Sequence, residues 1–232
     1  MNDAPEAAPD ATPDERRNFY GRRMGKALKP AQRRYLEEDL PRISLGDVTG
    51  GLDPSALFAA DRVWLEVGFG GGEHIVHQAK SNPDVALIGA EPYVNGIAMC
   101  LGKIRRAGVT NIRIHPGDAR DLMDALPTGA IAKAFLLYPD PWPKARHHRR
   151  RFVTPDHLGP LYRVLAPGAE FRIATDIEDY VRQALEEVPP AGFIRADHPT
   201  DQPWDDWLST RYEQKALREG RAPNYLTFHR AL

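Results

Sequence analysis

The sequence predicts an α/β protein, a mainly parallel sheet with helices on both faces, and three features carry that expectation. From Val63 onward, short apolar runs alternate with stretches of helical periodicity. The first of these runs, Val63-Trp64-Leu65-Glu66-Val67, leads straight into a glycine turn, Gly68-Phe69-Gly70-Gly71-Gly72. Val94, Ile97, Ala98, Leu101 and Ile104 then recur at helical spacing, which predicts one buried helix face with Lys103, Arg105 and Arg106 turned to solvent.

Taken in order, residues 1–15 are rich in Ala and Pro and carry Asp3, Glu6, Asp10, Asp14 and Glu15 without a Lys or Arg, the composition of a disordered acidic tail. Residues 16–60 form a basic N-terminal arm and helical extension, in which Arg16, Arg17, Arg22, Arg23, Lys26, Lys29, Arg33 and Arg34 are interleaved with Phe19, Tyr20 and Tyr35. Residues 61–232 are expected to form the sheet domain. Its candidate strands are Val63 to Val67, Val85 to Ala90, Ile112 to His115, Ala134 to Tyr138, Ala169 to Ala174 and Leu226 to His229. Tyr225, Phe228 and Arg230 fall in the last strand and read as structural, and Trp204 and Trp207 read as aromatics packed against the sheet.

The bulk composition fits one domain with a substantial core: 232 residues, 42% hydrophobic and 27% charged. A net charge of −1 favours no partner by itself, so local patches matter more than the total. Cys100 is the only cysteine, and neither a Cys-x-x-Cys pair nor a His-Glu-x-x-His helix is present, so no intrachain disulfide and no protein-held metal are expected. No apolar run reaches the roughly 18 residues needed to span a bilayer, and no signal-peptide core is seen, which makes the cytoplasm the expected location and a membrane partner unexpected.

Parallel sheets gather ligands at the carboxyl ends of their strands. Four successive strands there deliver Glu66, Glu91, Asp118 and Asp140. Any one of these acids can equally serve as a helix cap or turn former, and Asp118 and Asp121 both suit a capping role. Together with the glycine turn they suit a cationic nucleoside cofactor. Glu91 can accept hydrogen bonds from ribose hydroxyls, Asp118 from an adenine amine, and Glu66 can face a sulfonium or ammonium group. A dinucleotide fingerprint would need a third glycine where Glu73 stands, and a carboxylate there would face the pyrophosphate. That disfavours a nicotinamide oxidoreductase. S-adenosyl-L-methionine, with no phosphate and a charged amino-acid tail, fits better.

In Pro139-Asp140-Pro141-Trp142-Pro143-Lys144, prolines on both sides stiffen the backbone and fix the direction of the Asp140 carboxylate. Lys144, Arg146, His147, His148, Arg149, Arg150 and Arg151 follow, a basic stretch that an anionic polymer would cross on its way to Asp140. Trp142 is open to two readings, a platform for an unstacked base or a packing aromatic.

With these motifs the chain resembles the bacterial tRNA (guanine-N7)-methyltransferase family. The resemblance rests on Leu65-Glu66-Val67-Gly68-Phe69-Gly70, on Gly89-Ala90-Glu91-Pro92, on the Pro139 to Lys144 run with its Arg146 to Arg151 extension, and on Thr210-Arg211-Tyr212-Glu213. It implies a Rossmann-like class I methyltransferase fold with a seven-stranded sheet, and transfer of a methyl group from S-adenosyl-L-methionine to N7 of guanine 46 (tRNA numbering) in the tRNA variable loop. Carried over by residue, it implies a cofactor site of Glu66, Gly68, Gly70, Glu91, Asp118 and Asp140, with Asp140 as the catalytic acid. Lys144, Asp176, Thr210, Arg211, Tyr212 and Glu213 would contact the substrate guanine region, and Arg146, His147, His148, Arg149, Arg150 and Arg151 the RNA. Ala145 stands where members often have a basic residue. The expected assembly is a monomer or homodimer. The alternatives are a small-molecule or other-RNA methyltransferase on the same fold, or a non-catalytic RNA-binding relative.

Overall fold

The computed structural model describes residues 20–58 and 60–232, so the proposed acidic tail and the start of the basic arm lie outside the described residues. Seven strands form one sheet: β1 (Arg62–Val67), β2 (Val85–Ala90), β3 (Ile112–His115), β4 (Ile131–Leu137), β5 (Leu165–Thr175), β6 (Phe193–Arg195) and β7 (Asn224–Arg230), in the spatial order β3-β2-β1-β4-β5-β7-β6. Strands β1 to β5 are mutually parallel, and β7 runs antiparallel to both β5 and β6. The chain moves outward from β1 to β3 and then crosses back to lay β4 on the other side of β1. That reversal opens a crevice at the carboxyl ends of β1 and β4, where open α/β sheets bind ligands.

The helices are α1 (Pro30–Glu38), α2 (Leu40–Ile43), α3 (Pro54–Leu57), α4 (Glu73–Ser81), α5 (Val94–Ala107), α6 (Ala119–Ala125), α7 (Pro155–Val164), α8 (Glu178–Glu187) and α9 (Arg211–Arg218). Strand pleating sorts their contacts, because successive side chains point to opposite faces. Val63, Leu65 and Val67 enter a core with Leu122 of α6, Leu161 of α7 and Tyr180 of α8. Trp64 points the other way, with Ile75 of α4, Ile97 and Leu101 of α5, and Phe135. Glu66 therefore belongs to the α4 face. Phe135 is fully buried, and truncating it to alanine would cost about 3–5 kcal/mol.

Helix α5 buries Ile97, Ala98 and Leu101 as its periodicity predicts, but Lys103 does not face solvent freely. Its Nζ donates to the Gly71 carbonyl at 2.6 Å and pairs with Glu73 at 3.1 Å, because the flank of α5 that carries it runs beside the glycine turn. The expected arm is helical where it meets α5. Tyr35 and Leu36 pack against the α4–α5 core, and Arg105 pairs with Glu38 at 2.9 Å and Asp39 at 3.0 Å.

Strands β2 and β3 match their expected limits, whereas others shift. Tyr138 leaves β4, with φ 50°. Strand β5 begins at Leu165 rather than Ala169, and a register shift between Ile131 and Lys133 accommodates the longer pairing. Strand β6 was not expected; only Phe193 of its three residues is buried, so it leaves no alternation to detect. No helix among the described residues is long and apolar enough to cross a membrane, and none of their His, Cys, Asp and Glu side chains form a group able to hold a metal ion.

Candidate active site

The turn after β1 depends on its glycines at two points. Gly72 has φ 76°, and a β-carbon on it would fall 2.3 Å from Cys100 Sγ of α5. Gly68 has φ 69° and open space where a β-carbon would stand, which leaves its backbone bare toward the crevice. The crevice is a cavity of about 1200 Å³, lined by residues from the β1, β2 and β4 ends, the Asp118 turn, the Pro139 to Pro143 loop and the N-terminal arm.

Glu91 directly follows β2 and is nearly buried, with Oε2 accepting from the Gly70 amide at 2.7 Å and Oε1 from the Tyr93 amide at 2.9 Å. Burial pushes its carboxyl above the usual range, the two amides pull the other way, and the charges of Asp140 and Glu66 add to the rise. Asp140 stands on the rim and forms no hydrogen bond among the described residues; desolvation raises its carboxyl while the Arg22 charge opposes the rise. Asp118 caps α6 through the Arg120 amide at 2.9 Å and is gripped by the Arg120 guanidinium at 2.5–3.1 Å. Burial would raise its carboxyl, but the Arg120 hydrogen bonds prevail and hold it low. Asp118 is thus both a cap and a cavity wall. Glu66 is set apart from these three, in a small recess that it shares with Gly68, Phe69, His74, Leu137 and Tyr212.

The Pro139 to Lys144 run is held in an unusual backbone path. Tyr138 and Trp142 both adopt positive φ, 50° and 38°, a strain that persists only where surrounding contacts impose it. Arg151 braces the Trp142 end of the run through the Pro141 and Trp142 carbonyls. Its side chain is fully buried, and its guanidinium donates to the Pro141 carbonyl at 2.8 Å and to Gln183 Oε1 at 2.9 Å, and pairs with Asp179 at 2.8 Å. This corrects the expectation that Arg151 contacts RNA: its charge is spent inside the protein, bracing the loop that carries Asp140. His148 turns to the same Asp179, at 3.2 Å. Lys144, Arg146 and Arg149 are exposed, and Arg149 and Arg150 line the cavity. Trp142 is half-buried, with the Arg150 guanidinium 5.0 Å from its ring centre and the His147 ring edge-on at 5.9 Å.

The Thr210 to Glu213 segment divides. Thr210 caps α9, its hydroxyl accepting from the Glu213 amide at 3.3 Å. Arg211 grips Glu73 at 2.6 Å and 3.0 Å. Burial would raise the Glu73 carboxyl, but Arg211 and Lys103 together hold it low. Tyr212 lies over Gly70 and lines both the cavity and the recess. Glu213 is buried, accepting from Trp207 Nε1 at 2.8 Å and from the Tyr225 hydroxyl, and Asp176 accepts from Arg221 at 2.5 Å. Neither Glu213 nor Asp176 lines the cavity, so the structure does not bring them to Asp140 as placed.

Several cavity residues escaped the sequence reading. The arm arrives from outside the sheet domain: the Arg23 carbonyl accepts from the Val94 amide at 3.0 Å, Asn95 bridges Gly25 and Lys26 at 2.8 Å and 2.7 Å, and Tyr20, Gly21 and Arg22 reach the cavity wall. Tyr20 lies 4.6 Å from the Arg150 guanidinium. The basic and aromatic interleaving of the arm was visible, but its docking partner Asn95 carries no sequence signal. Asp156 and His157 also line the cavity from the start of α7.

A family model described as a putative methyltransferase matches residues 60–225. The tRNA (guanine-N(7)-)-methyltransferase of Ruegeria pomeroyi is 66% identical over 230 residues, covering 94% of this chain and 97% of that protein. The protein of the same name from Rhodospirillum rubrum is 46% identical over 230 residues, covering 94% and 89%. Among solved structures, the 16S rRNA methyltransferase KamB superposes with a TM-score of 0.58 at 19% identity, covering 75% of this chain and 89% of that one. A 16S rRNA (adenine(1408)-N(1))-methyltransferase variant from Catenulisporales acidiphilia, solved with its cosubstrate SAM, gives 0.55 at 21% identity, covering 78% and 92%. At such identities these two structures share the fold of this chain.

Proposed function

The chain belongs to the tRNA (guanine-N7)-methyltransferase family, and on that premise we propose that it transfers a methyl group from S-adenosyl-L-methionine to N7 of guanine 46 in the tRNA variable loop. The observation that carries this reading is the meeting, in one cavity, of the carboxylates Glu91, Asp118 and Asp140 with the basic residues Arg149 and Arg150. An acidic floor suits a cationic nucleoside, and a basic lip suits a polyanion.

The residues present fit the cofactor. Glu91 is fixed by two backbone amides as an oriented acceptor beside a bare glycine backbone, Asp118 stands at the next strand end, and Glu66 offers a buried carboxylate beside the turn. Glu91 would hold the ribose, Asp118 the adenine amine, and Glu66 the amino-acid end. When bound, the cofactor supplies an electrophilic methyl group on a sulfonium.

Guanine N7 has an available lone pair, so its attack requires no proton removal. The work left to the protein is alignment and exclusion of water, and well-oriented reactants can gain roughly 7–11 kcal/mol in this way. Asp140, kept in direction by its flanking prolines and by Arg151 beneath them, would accept hydrogen bonds from guanine N1–H and the exocyclic amine and offset positive charge forming on the ring. Adenine offers no such pair of donors. Tyr212, at the junction of cavity and recess, would close the site over the reacting groups. Lys144, Arg146, Arg149 and Arg150 would contact tRNA phosphates.

The test is incubation with labelled S-adenosylmethionine and tRNA lacking the modification, followed by nuclease digestion and mass spectrometry. Seven-methylguanine at position 46 is the expected product. Methylation at another base, or none with an intact cofactor-binding protein, would overturn the substrate assignment. An Asp140→Asn protein with undiminished transfer would remove Asp140 from the mechanism.

A further inference from the structure

Glu66 is held by a polar chain that the reaction described above does not use. Strand alternation turns it onto the α4 face, and the second residue of α4, His74, brings Nδ1 to 2.7 Å from Glu66 Oε2. Both side chains are buried, 2% and 3% exposed. On the far side of the ring, His74 Nε2 lies 3.2 Å from Gln78 Nε2, which also lies 3.1 Å from the Asp206 carbonyl oxygen.

This arrangement fixes the tautomer. A carbonyl oxygen only accepts, so the Gln78 atom facing Asp206 is the amide NH2, and the Gln78 oxygen is taken by Asn82 Nδ2 at 3.2 Å. The same NH2 has a second hydrogen for His74 Nε2. That nitrogen is then an acceptor, and the ring hydrogen sits on Nδ1, donated to Glu66. Phe135, edge-on with centroids 4.7 Å apart, and Trp207 at 5.5 Å wall the ring in and keep it from turning. The other Glu66 oxygen has no hydrogen-bond partner among the described residues, and Glu66 lines the recess beside the glycine turn.

We propose that His74 is a positioning residue that holds one oxygen of Glu66 and leaves the other for the cationic amino-acid end of S-adenosylmethionine. This rests on the cofactor reading above. The hydrogen bond is made before the ligand arrives, so it bears on affinity through the orientation it gives Glu66, and tenfold in affinity corresponds to about 1.4 kcal/mol of lost preorganisation.

The test uses the full-length protein and two ligands. S-adenosylmethionine carries the amino-acid end, while methylthioadenosine shares the adenosine and lacks it. In His74→Leu, calorimetry should show S-adenosylmethionine binding weakened about tenfold or more, with methylthioadenosine affinity unchanged. In His74→Asn, whose amide NH2 stands near the lost Nδ1–H, S-adenosylmethionine binding should recover most of that loss. Equal weakening for both ligands would mark a general structural effect and overturn the proposal, as would wild-type affinity in His74→Leu or no recovery in His74→Asn. Should His74→Leu not fold, Gln78→Met replaces it: with the tautomer released, S-adenosylmethionine affinity should fall severalfold, and unchanged affinity overturns the proposal. Wild-type protein that binds methylthioadenosine but not S-adenosylmethionine would also overturn it, whereas a wild type that binds neither removes the cofactor reading and this proposal with it.

Discussion

The Gly70 amide donates to Glu91 Oε2 across 2.7 Å, so the turn after β1 and the carboxylate that follows β2 act as one unit. The Tyr93 amide holds the second oxygen at 2.9 Å. Glu91→Ala would remove the proposed ribose acceptor and leave both amides without their partner, at about 1–3 kcal/mol for each group that stays dry. A lower melting temperature and at least tenfold weaker S-adenosylmethionine binding are expected, read by thermal unfolding and calorimetry. Unchanged affinity would take Glu91 out of the cofactor site.

Glu91 and Asp140 should make stability and affinity for a cationic ligand respond to pH in opposite directions. Burial raises both carboxyls above their ordinary values, opposed by the Tyr93 and Gly70 amides at Glu91 and by Arg22 at Asp140. The native state therefore keeps protons that the unfolded chain has released, and stability falls as pH rises from the ordinary carboxylate values through the raised ones. Affinity for a cationic ligand rises across the same window, because both groups ionise there. Asp118 and Glu73, whose carboxyls are lowered, lose their contribution as pH falls, in a window below the ordinary values. Melting temperature and S-adenosylmethionine affinity measured against pH should thus diverge above the ordinary carboxylate values. Arg22→Ala should extend that divergence to higher pH, and coincident profiles would contradict the assignment.

Much of the fold was legible because apolar residues dominate the central strands, continuously in β2 and in alternation with Arg113 and His115 in β3, and both strands keep the limits that those patterns set. β6 is too short to show a period, and Tyr138 left β4 for a backbone conformation that no local rule predicts for tyrosine. At the site, Glu91, Asp118 and Asp140 do line one cavity, since each follows a parallel strand. Glu66 is separated from them by pleat parity, and its partner His74 reads locally as one more residue of an amphipathic helix. Arg151 is indistinguishable in sequence from its basic neighbours. What turns it inward is Gln183 and Asp179 on α8, which only the tertiary structure brings near.

Arg151 and Arg149 should therefore behave differently although they are two residues apart. Arg151→Leu would leave Gln183 and the Pro141 carbonyl without their donor and Asp179 without its buried partner, for a loss of about 2–4 kcal/mol once the exposure of Asp179 is allowed for. That corresponds to a melting temperature lower by roughly 5–15 °C. Arg149→Ala should leave stability within about 0.5 kcal/mol and reduce the salt dependence of tRNA binding by about one phosphate contact. A reduced salt slope in Arg151→Leu with unchanged stability would reverse these assignments.

The Glu73–Arg211 clamp ties the turn after β1 to the segment carrying Tyr212, and Gly71 offers a way to break it without removing a charge. A β-carbon on Gly71 would fall 1.4 Å from Arg211 Nη2, while nothing in the backbone of Gly71 forbids alanine. The flexible guanidinium is what must move, away from Glu73. Gly71→Ala and Arg211→Ala should then act on the same contact, each costing about 1 kcal/mol for a partly exposed pair and each raising the KM for tRNA as Tyr212 loses its anchor. Because they share one interaction, the double variant should be no worse than Arg211→Ala alone, a coupling close to the full effect of Gly71→Ala. Denaturant unfolding and steady-state kinetics on the four proteins measure that cycle. Strict additivity would mean that Arg211 is not held by Glu73 in solution and that its role lies with the substrate alone.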